Sequence, residues 1–345
     1  MVHFMEKPSQ HLRKTIAIEK SIMKYIPILA IFASAFLTGC NKSQKSGQLS
    51  IAVIPKGTTH IYWKSVEAGA KKAAAELGVN LTFIGPPRED DRSQQIDLVT
   101  NQALQNDAIV LAPLDAVALR DSVKGVADKG KPVVIIDSSL ADSDGFIASY
   151  VATDNREGGR IAARHLSEIL AGKGKIAVLR YMQGSASTEQ REEGFLEEIK
   201  KSPGIEVVSS EQFAGATASQ AQDVATNLLT RLASGDGLSI GGLFCSNQTS
   251  TYGMLQALRG KNLAGKTKFI GFDCDATFID ALKKGEMHGS ILQDPVNMGY
   301  LGVKTAVAKL KGEKVEAVID TGATLITPDN LNEPKVADLI KSQLP

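Results

Sequence analysis

Cysteine is scarce: three in 345 residues, at 40, 245 and 274, too few for a disulfide framework. Cys245 and Cys274 each stand at the end of an apolar stretch, as buried thiols or as a single bridge. Net charge is scarce as well. The formal balance is +1, but the first 39 residues hold five Lys/Arg against two acidic residues, so the remainder carries −2. No basic stripe is left, which argues against nucleic acid as a partner. Aromatic residues make up only 5% of the chain, and Trp63 is the sole tryptophan. The apolar run Ile26–Leu37 has 12 residues, too few to span a bilayer comfortably. No phosphate-binding loop and no metal-ligand spacing occurs, so neither a cofactor nor a metal is expected. His165, inside a helical stretch, and His288, before a strand, have no visible partners for a catalytic triad.

What is present begins with that apolar run. It follows Lys24-Tyr25 and leads into Thr38-Gly39-Cys40, the layout of a signal-peptide core before a cleavage site. Leu37-Thr38-Gly39-Cys40 resembles the lipobox of bacterial lipoproteins, which implies a mature chain beginning at a diacylated Cys40. The alternative is an uncleaved anchor. Residues 1–22 are long and polar for the segment preceding such a core, and Met23-Lys24 would make a conventional start. Residues 40–48, rich in Ser, Gln and Lys, read as a flexible tether.

The organising stretch is Leu49–Gly78. Leu49–Ile54 is apolar and β-branched, a buried strand stopped by Pro55. Beyond a polar loop, Val66, Ala70, Ala73 and Leu77 recur at helical spacing, and Gly78 stands at the C-cap position. Strand, loop, helix is the opening of a doubly wound α/β domain, in which ligands sit beyond the carboxyl ends of the strands. Lys56, His60, Tyr62 and Trp63 then lie at the mouth of a site, with Trp63 also readable as helix packing.

The rhythm continues. Strands are expected at 80–84, 108–111, 132–136 and 147–151, with helices at 93–104 and 117–127 and the charged REDDR stretch in a loop. It restarts with a helix at 158–170. Later strands are expected at 176–179, 206–208, 240–244, 268–271 and 289–292, with helices at 219–232 and 296–310. Crossing strands follow within 315–326, then a last helix at 334–340. Alternation at this spacing implies right-handed crossovers and parallel sheets, in two similar α/β units.

Several apolar strands end in an isolated polar residue: Asp137 after VVII, Asn247 after GGLFCS, Asp273 after FIGF and Gln293 after SIL. Taken singly, each Asp reads as a cap of the following helix, and Arg191 in QREEG as a solvated charge. Taken together they supply two carboxylates, two amides and a guanidinium around one crevice. That set suits a polyhydroxylated ligand, because each hydroxyl both donates and accepts while Arg donates in a fixed fork.

These pieces resemble the periplasmic ribose-type sugar-binding proteins, whose core is shared with lactose-repressor regulators. The resemblance runs from Leu49 to about Pro328. It rests on IAVIP…IYWKSVEAGAKKAAAELG, VVIID, VATDNREGGRIAA, REEGF, NLLT, FCSNQ, FIGFDCD and LKGEKVEA, in that order. It implies two Rossmann-like parallel-sheet lobes, the type I periplasmic binding protein fold, joined by crossings near Val151–Thr153, Gln293–Asp294 and Gly322–Ala323. The implied lobes are 49–152 plus 294–322 and 153–293 plus 323–345. Ligand contacts implied position by position are Tyr62, Trp63, Asp137, Arg191, Asn247, Asp273 and Gln293. The sequence departs from the ribose pattern at Lys56, where a small polar residue is usual, at His60 for Asn, at Ser138 for Arg, and at Ala216 for a stacking Phe. Lys56, His60 and Ser138 join the expected site. Ala216 is expected to leave space, and ribose is not expected to be the best ligand. A sugar bearing an acidic group near Lys56 is one of the options.

The implied function is an extracytoplasmic, lipid-anchored, monomeric receptor that hands a monosaccharide or related polyol to the permease of an ABC importer. Three rivals remain at this level. A transcriptional regulator would need a DNA-binding helix pair where the signal peptide stands. A sugar-acting enzyme could use Asp137 and Asp273 as a carboxylate pair, yet no group that would activate water is apparent. A receptor for a sugar-like signal or chemotaxis ligand would share the same site. Which sugar binds, and which membrane leaflet would hold the anchor, lie beyond the sequence.

Overall fold

The computed structural model describes residues 47–343. The expected signal peptide, the Met23 start, Cys40 and most of the tether lie outside the described residues.

Two six-stranded sheets carry the fold. The first contains β1 (Ser50–Ile54), β2 (Asn80–Phe83), β3 (Ala108–Leu111), β4 (Val133–Ile136), β5 (Ser149–Ala152) and β13 (Val318–Asp320), in the order β13-β5-β4-β3-β1-β2 and parallel throughout. The second contains β6 (Lys173–Arg180), β7 (Gly204–Phe213), β10 (Gly242–Cys245), β11 (Lys268–Phe272), β12 (Gly289–Leu292) and β14 (Thr324–Ile326), ordered β14-β12-β11-β10-β6-β7, with only β14 antiparallel. A small hairpin, β8 (Ala233–Ser234) and β9 (Gly237–Leu238), stands apart.

Helices cover both faces, as the continuous apolar strands require. Those of the first lobe are α1 (Ile61–Leu77), α2 (Arg92–Gln105), α3 (Arg120–Ala127) and, returning late in the chain, α9 (Pro295–Leu310). Those of the second are α4 (Asn155–Ile169), α5 (Ala186–Ile199), α6 (Ala218–Arg231), α7 (Gln248–Gly260) and α8 (Ala276–Lys283). Strand β1 shows the division of its two faces. Ile51 and Val53 join Val66, Ala70 and Met298 on one side, while Ala52 and Ile54 join Val99 and Val123 on the other. Local chemistry fixes the helix ends. Gly78 caps α1 at φ 64° and donates to the Ala74 carbonyl. Thr217 with Gln220, and Asn247 with Ser250, form capping boxes at α6 and α7.

The chain passes between lobes three times, after β5, after β12 and between β13 and β14. Thr153 Oγ1 donates to the Gly322 carbonyl at 3.1 Å, and the Asp154 N–H to Asp320 Oδ1 at 3.1 Å, tying two crossings side by side. The final helix, α10 (Pro334–Gln343), packs Val336 and Ile340 on the core of the second lobe. Its Gln343 carbonyl accepts from Ser65 of the first lobe. Among the described residues no helix is long and apolar enough to cross a membrane. Cys245, the last residue of β10, and Cys274 are both free buried thiols, so no bridge joins them.

Candidate functional site

The carboxyl ends of both sheets face one cleft, lined from both lobes. Its lining gathers nine of the ten expected positions: Lys56, His60, Tyr62, Trp63, Asp137, Arg191, Asn247, Asp273 and Gln293. Ser138 is the exception. It lies behind the wall, fully buried, where its hydroxyl accepts from the Ser187 N–H across the lobes at 3.0 Å.

Lys56 leaves β1 through Pro55 and is itself buried. Its ammonium meets Asp137 Oδ2 at 2.8 Å and donates to Ser187 Oγ at 2.9 Å and Ser185 Oγ at 3.4 Å. All three N–H bonds are thereby engaged, which removes the expectation of a free cation awaiting an acidic ligand group. Tyr62, in the first turn of α1, donates its hydroxyl to Asp137 Oδ1 at 2.9 Å. Burial, followed by the nearby charge of Asp137, pushes the Tyr62 phenol well above its usual range, so it stays a donor. Tyr62 and Trp63 meet edge to face at 4.9 Å. The Trp63 indole N–H donates to Glu89 Oε1 at 2.7 Å. Trp63 therefore serves both in helix packing and on the cleft wall.

On the second lobe, Arg191 is set by helix contact. Helices α4 and α5 approach so closely that a Cβ on Gly159 would stand 2.0 Å from the Arg191 carbonyl oxygen, and one on Gly194 would stand 2.1 Å from that of Arg156. This reciprocal glycine contact seats Arg191 under the cleft. Its Nε donates to Asn155 Oδ1 at 2.8 Å, its Nη1 to the Ser246 carbonyl at 3.1 Å, and its guanidinium lies 3.9 Å from the centre of the Phe272 ring. Among the described residues its buried Nη2 has no partner. Asp273 accepts from Gln293 Nε2 at 2.7 Å and from the Gln248 N–H at 2.9 Å. Burial raises the Asp273 carboxyl above the usual carboxylate range, and the Arg191 charge opposes that rise. Asn247 spends its side-chain oxygen on capping α7, as the sequence allowed for a polar strand end.

Sequence reasoning missed Glu89, Tyr181, Ser185, Ser187, Thr188, Gln248 and Thr249, all of which line the cleft. Gln248 is adjacent to a residue that was named, and Tyr181 follows β6 as Asp137 follows β4, so position alone could have found both. Ala216 is buried and lines a side cavity with His60 and Glu89 rather than the main cleft. Among the described residues no group of three metal-ligating side chains occurs.

Five buried side-chain atoms lack a hydrogen-bond partner among the described residues, and three of them belong to this cleft: Arg191 Nη2, Gln248 Oε1 and Gln293 Oε1. One donor and two acceptors left unpaired in a buried wall are costly unless a ligand completes them.

Comparison with known proteins adds independent findings. Residues 51–314 match the family described as periplasmic binding protein domain. The D-allose-binding periplasmic protein of Escherichia coli is 30% identical over 271 residues, covering 76% of this chain and 85% of that protein. A solved carbohydrate transporter solute-binding protein from Agrobacterium radiobacter, in complex with D-arabinose, superposes with a TM-score of 0.80 at 38% identity, covering 86% of this chain and 99% of that one. An ABC transporter solute-binding protein from Agrobacterium vitis with bound D-fucose gives 0.80 at 33% identity, covering 84% and 99%.

Proposed function

This chain belongs to the family of periplasmic binding protein domains, and we propose that its cleft takes a neutral monosaccharide or polyol through Tyr62, Trp63, Asp137, Arg191, Asn247, Asp273 and Gln293, with Gln248 added. It is a sugar-binding protein of an ABC importer, capturing its solute and delivering it to the permease; its relatives are binding proteins and not enzymes. The observation that carries the assignment of residues is the trio of unpaired atoms, Arg191 Nη2, Gln248 Oε1 and Gln293 Oε1. A vicinal diol supplies an acceptor for the first and donors for the other two. The working lobes are 49–152 plus 294–322 and 153–293 plus 323–345, closing by hinge motion as a monomer. A thermal-shift panel of neutral pentoses, hexoses and polyols tests the reading. A ligand at 100 times its Kd adds about 2.7 kcal/mol of apparent stability. No shift with any of them would overturn it.

The anchor is proposed separately. Leu37-Thr38-Gly39-Cys40 after a 12-residue apolar run supports lipidation at Cys40 and tethering to the outer face of a bacterial membrane. Mass spectrometry of membrane-extracted protein should find a chain beginning at acylated Cys40. A Cys40→Ala variant that is processed and retained like the parent would rule this out.

A further inference from the structure

Glu89 lies in the loop between β2 and α2, within the charged REDDR stretch. Yet it is only 8% exposed, and its two oxygens are divided between the lobes. Oε1 accepts from Trp63 Nε1 on α1 of the first lobe at 2.7 Å. Oε2 accepts from the Tyr181 hydroxyl, just beyond β6 of the second lobe, at 2.9 Å. Trp63 is 3% exposed and Tyr181 2%. The stem of Glu89 is held too: a Cβ on Gly57 would stand 2.8 Å from Glu89 Cγ, so the loop after β1 packs directly on it. His60 Nε2 lies 3.8 Å from Oε1.

These contacts differ in kind. The Trp63 and Gly57 contacts lie within one lobe and persist when the lobes part. The Tyr181 contact crosses the cleft and exists only while it is closed. Glu89 is thus placed by its own lobe before Tyr181 arrives, and a phenol meeting a carboxylate fixed in advance loses little entropy on bonding. Both partners carry an aromatic wall of the cleft. We propose that Glu89 is a positioning residue for closure: it locks the Trp63 ring to the first lobe and clamps Tyr181 of the second, coupling the open–closed equilibrium to the aromatic lining of the site. The proposal rests on the two-lobe binding reading but on no particular sugar.

The test uses Tyr181→Phe, which keeps the ring and removes only the crossing bond, together with Glu89→Gln. Small-angle scattering reports the closed fraction. Acrylamide quenching of Trp63, the sole tryptophan, reports cover of the cleft wall. Both are measured without sugar and with a saturating mixture of D-arabinose, D-allose and D-fucose. A hydrogen bond to a charged group is strong enough to shift the equilibrium about tenfold or more. Tyr181→Phe is expected to move the population about tenfold toward the open form and to expose Trp63 to quencher, with unchanged thermal unfolding. Glu89→Gln should do the same and also shift Trp63 emission in the open form, which Tyr181→Phe should not. Scattering and quenching identical to the parent in Tyr181→Phe would overturn the proposal, as would a parent protein that is open under every condition. Closure that depends on Tyr181 but responds to no sugar would support the clamp and count instead against the sugar reading.

Discussion

Asp137 and Asp273 hold equivalent posts in the two lobes. Each is the first residue beyond a buried parallel strand, and each has a left-handed backbone, at φ 63° and 69°. Each also donates its N–H to the neighbouring strand, Asp137 to the Val151 carbonyl and Asp273 to that of Ile291. A non-glycine residue there is strained, and such strain persists where the surroundings over-determine it. Here it aims two carboxylates into one cleft from opposite sides.

Their surroundings then set them apart. Asp137 is neutralised by Lys56 in direct contact. Asp273 is held by amides, and burial raises its carboxyl despite Arg191. A hydroxyl ligand donates more strongly to the carboxylate than to the protonated acid, so binding at Asp273 favours proton release. Affinity should therefore rise as pH is raised through and beyond the usual carboxylate range, and calorimetry should show net proton release at the acid end. Asp273→Asn should weaken binding by at least about tenfold, about 1.4 kcal/mol, and should flatten the pH slope. An unchanged slope in the variant would remove Asp273 from the site.

The buried Lys56–Asp137 pair can be dissected by a double-mutant cycle. Removing one partner leaves a buried charge uncompensated, which costs about 3–5 kcal/mol. Lys56→Met and Asp137→Asn should each lower the free energy of urea unfolding by an amount of that order. The double variant should recover a large part of the loss. Additive losses would mean that the two side chains do not act as a pair.

Arg191 depends on glycine at a distance. A methyl at position 159 meets backbone at 2.0 Å, whereas one at 158 meets the Phe272 ring edge at 3.1 Å, and an aromatic edge can yield where backbone cannot. Gly159→Ala should therefore separate α4 from α5, cost about 1–3 kcal/mol and weaken ligand binding through displaced Arg191. Gly158→Ala should be milder on both counts. Melting curves and calorimetry of the pair would check the ranking.

Asp137, Asp273 and Gln293 were legible because each interrupts or ends an apolar strand, and parallel-sheet topology sends such residues to one edge. Arg191 was legible only through the resemblance, since QREEG alone reads as a solvated helix. Glu89 was not legible at all. Its burial depends on the path of a loop and on Tyr181 approaching from the other lobe, and neither leaves a periodic trace. Ser138 was overvalued for the converse reason. Two residues past the end of β4, it turns to serve Ser187 rather than the cleft. Element boundaries moved most at β7, expected over 206–208 and observed over Gly204–Phe213, where the strand runs on alongside β6.

His288 gives the second lobe a pH dependence of its own. Burial, with the neighbouring Lys268 and His165, lowers its imidazole to about 4. Its Nδ1 accepts from the Phe269 N–H, and its carbonyl contacts the His165 ring. The unfolded chain protonates near the ordinary value of about 6.5. Between those values the unfolded state binds more protons, so stability is intact above about 6.5 and drains away as pH falls toward 4. Melting temperature should drop over that interval, and less so in His288→Gln, whose amide can still accept from Phe269. An identical drop in both proteins would assign the acid lability to other groups.

The charge set of the cleft bears on which sugars it takes. Lys56 and Arg191 face Asp137, Asp273 and Glu89, and Lys56 is already saturated by Asp137, Ser185 and Ser187. With Lys56 and Asp137 paired, an acidic sugar would find one guanidinium against the carboxylates of Asp273 and Glu89, with no free ammonium among the described lining residues. Like-charge juxtaposition in a closed site is a principal means of rejecting wrong ligands. A neutral hexose should therefore bind at least about tenfold more tightly than its uronic acid of matching stereochemistry, a difference of about 1.4 kcal/mol. Raising salt should narrow the gap only slightly, because buried charges are poorly screened. Competition calorimetry of matched pairs, such as D-galactose against D-galacturonate, decides the matter. A uronic acid that wins would mean that Lys56 releases Asp137 on binding, and Asp137→Asn should then strengthen the acid's affinity further.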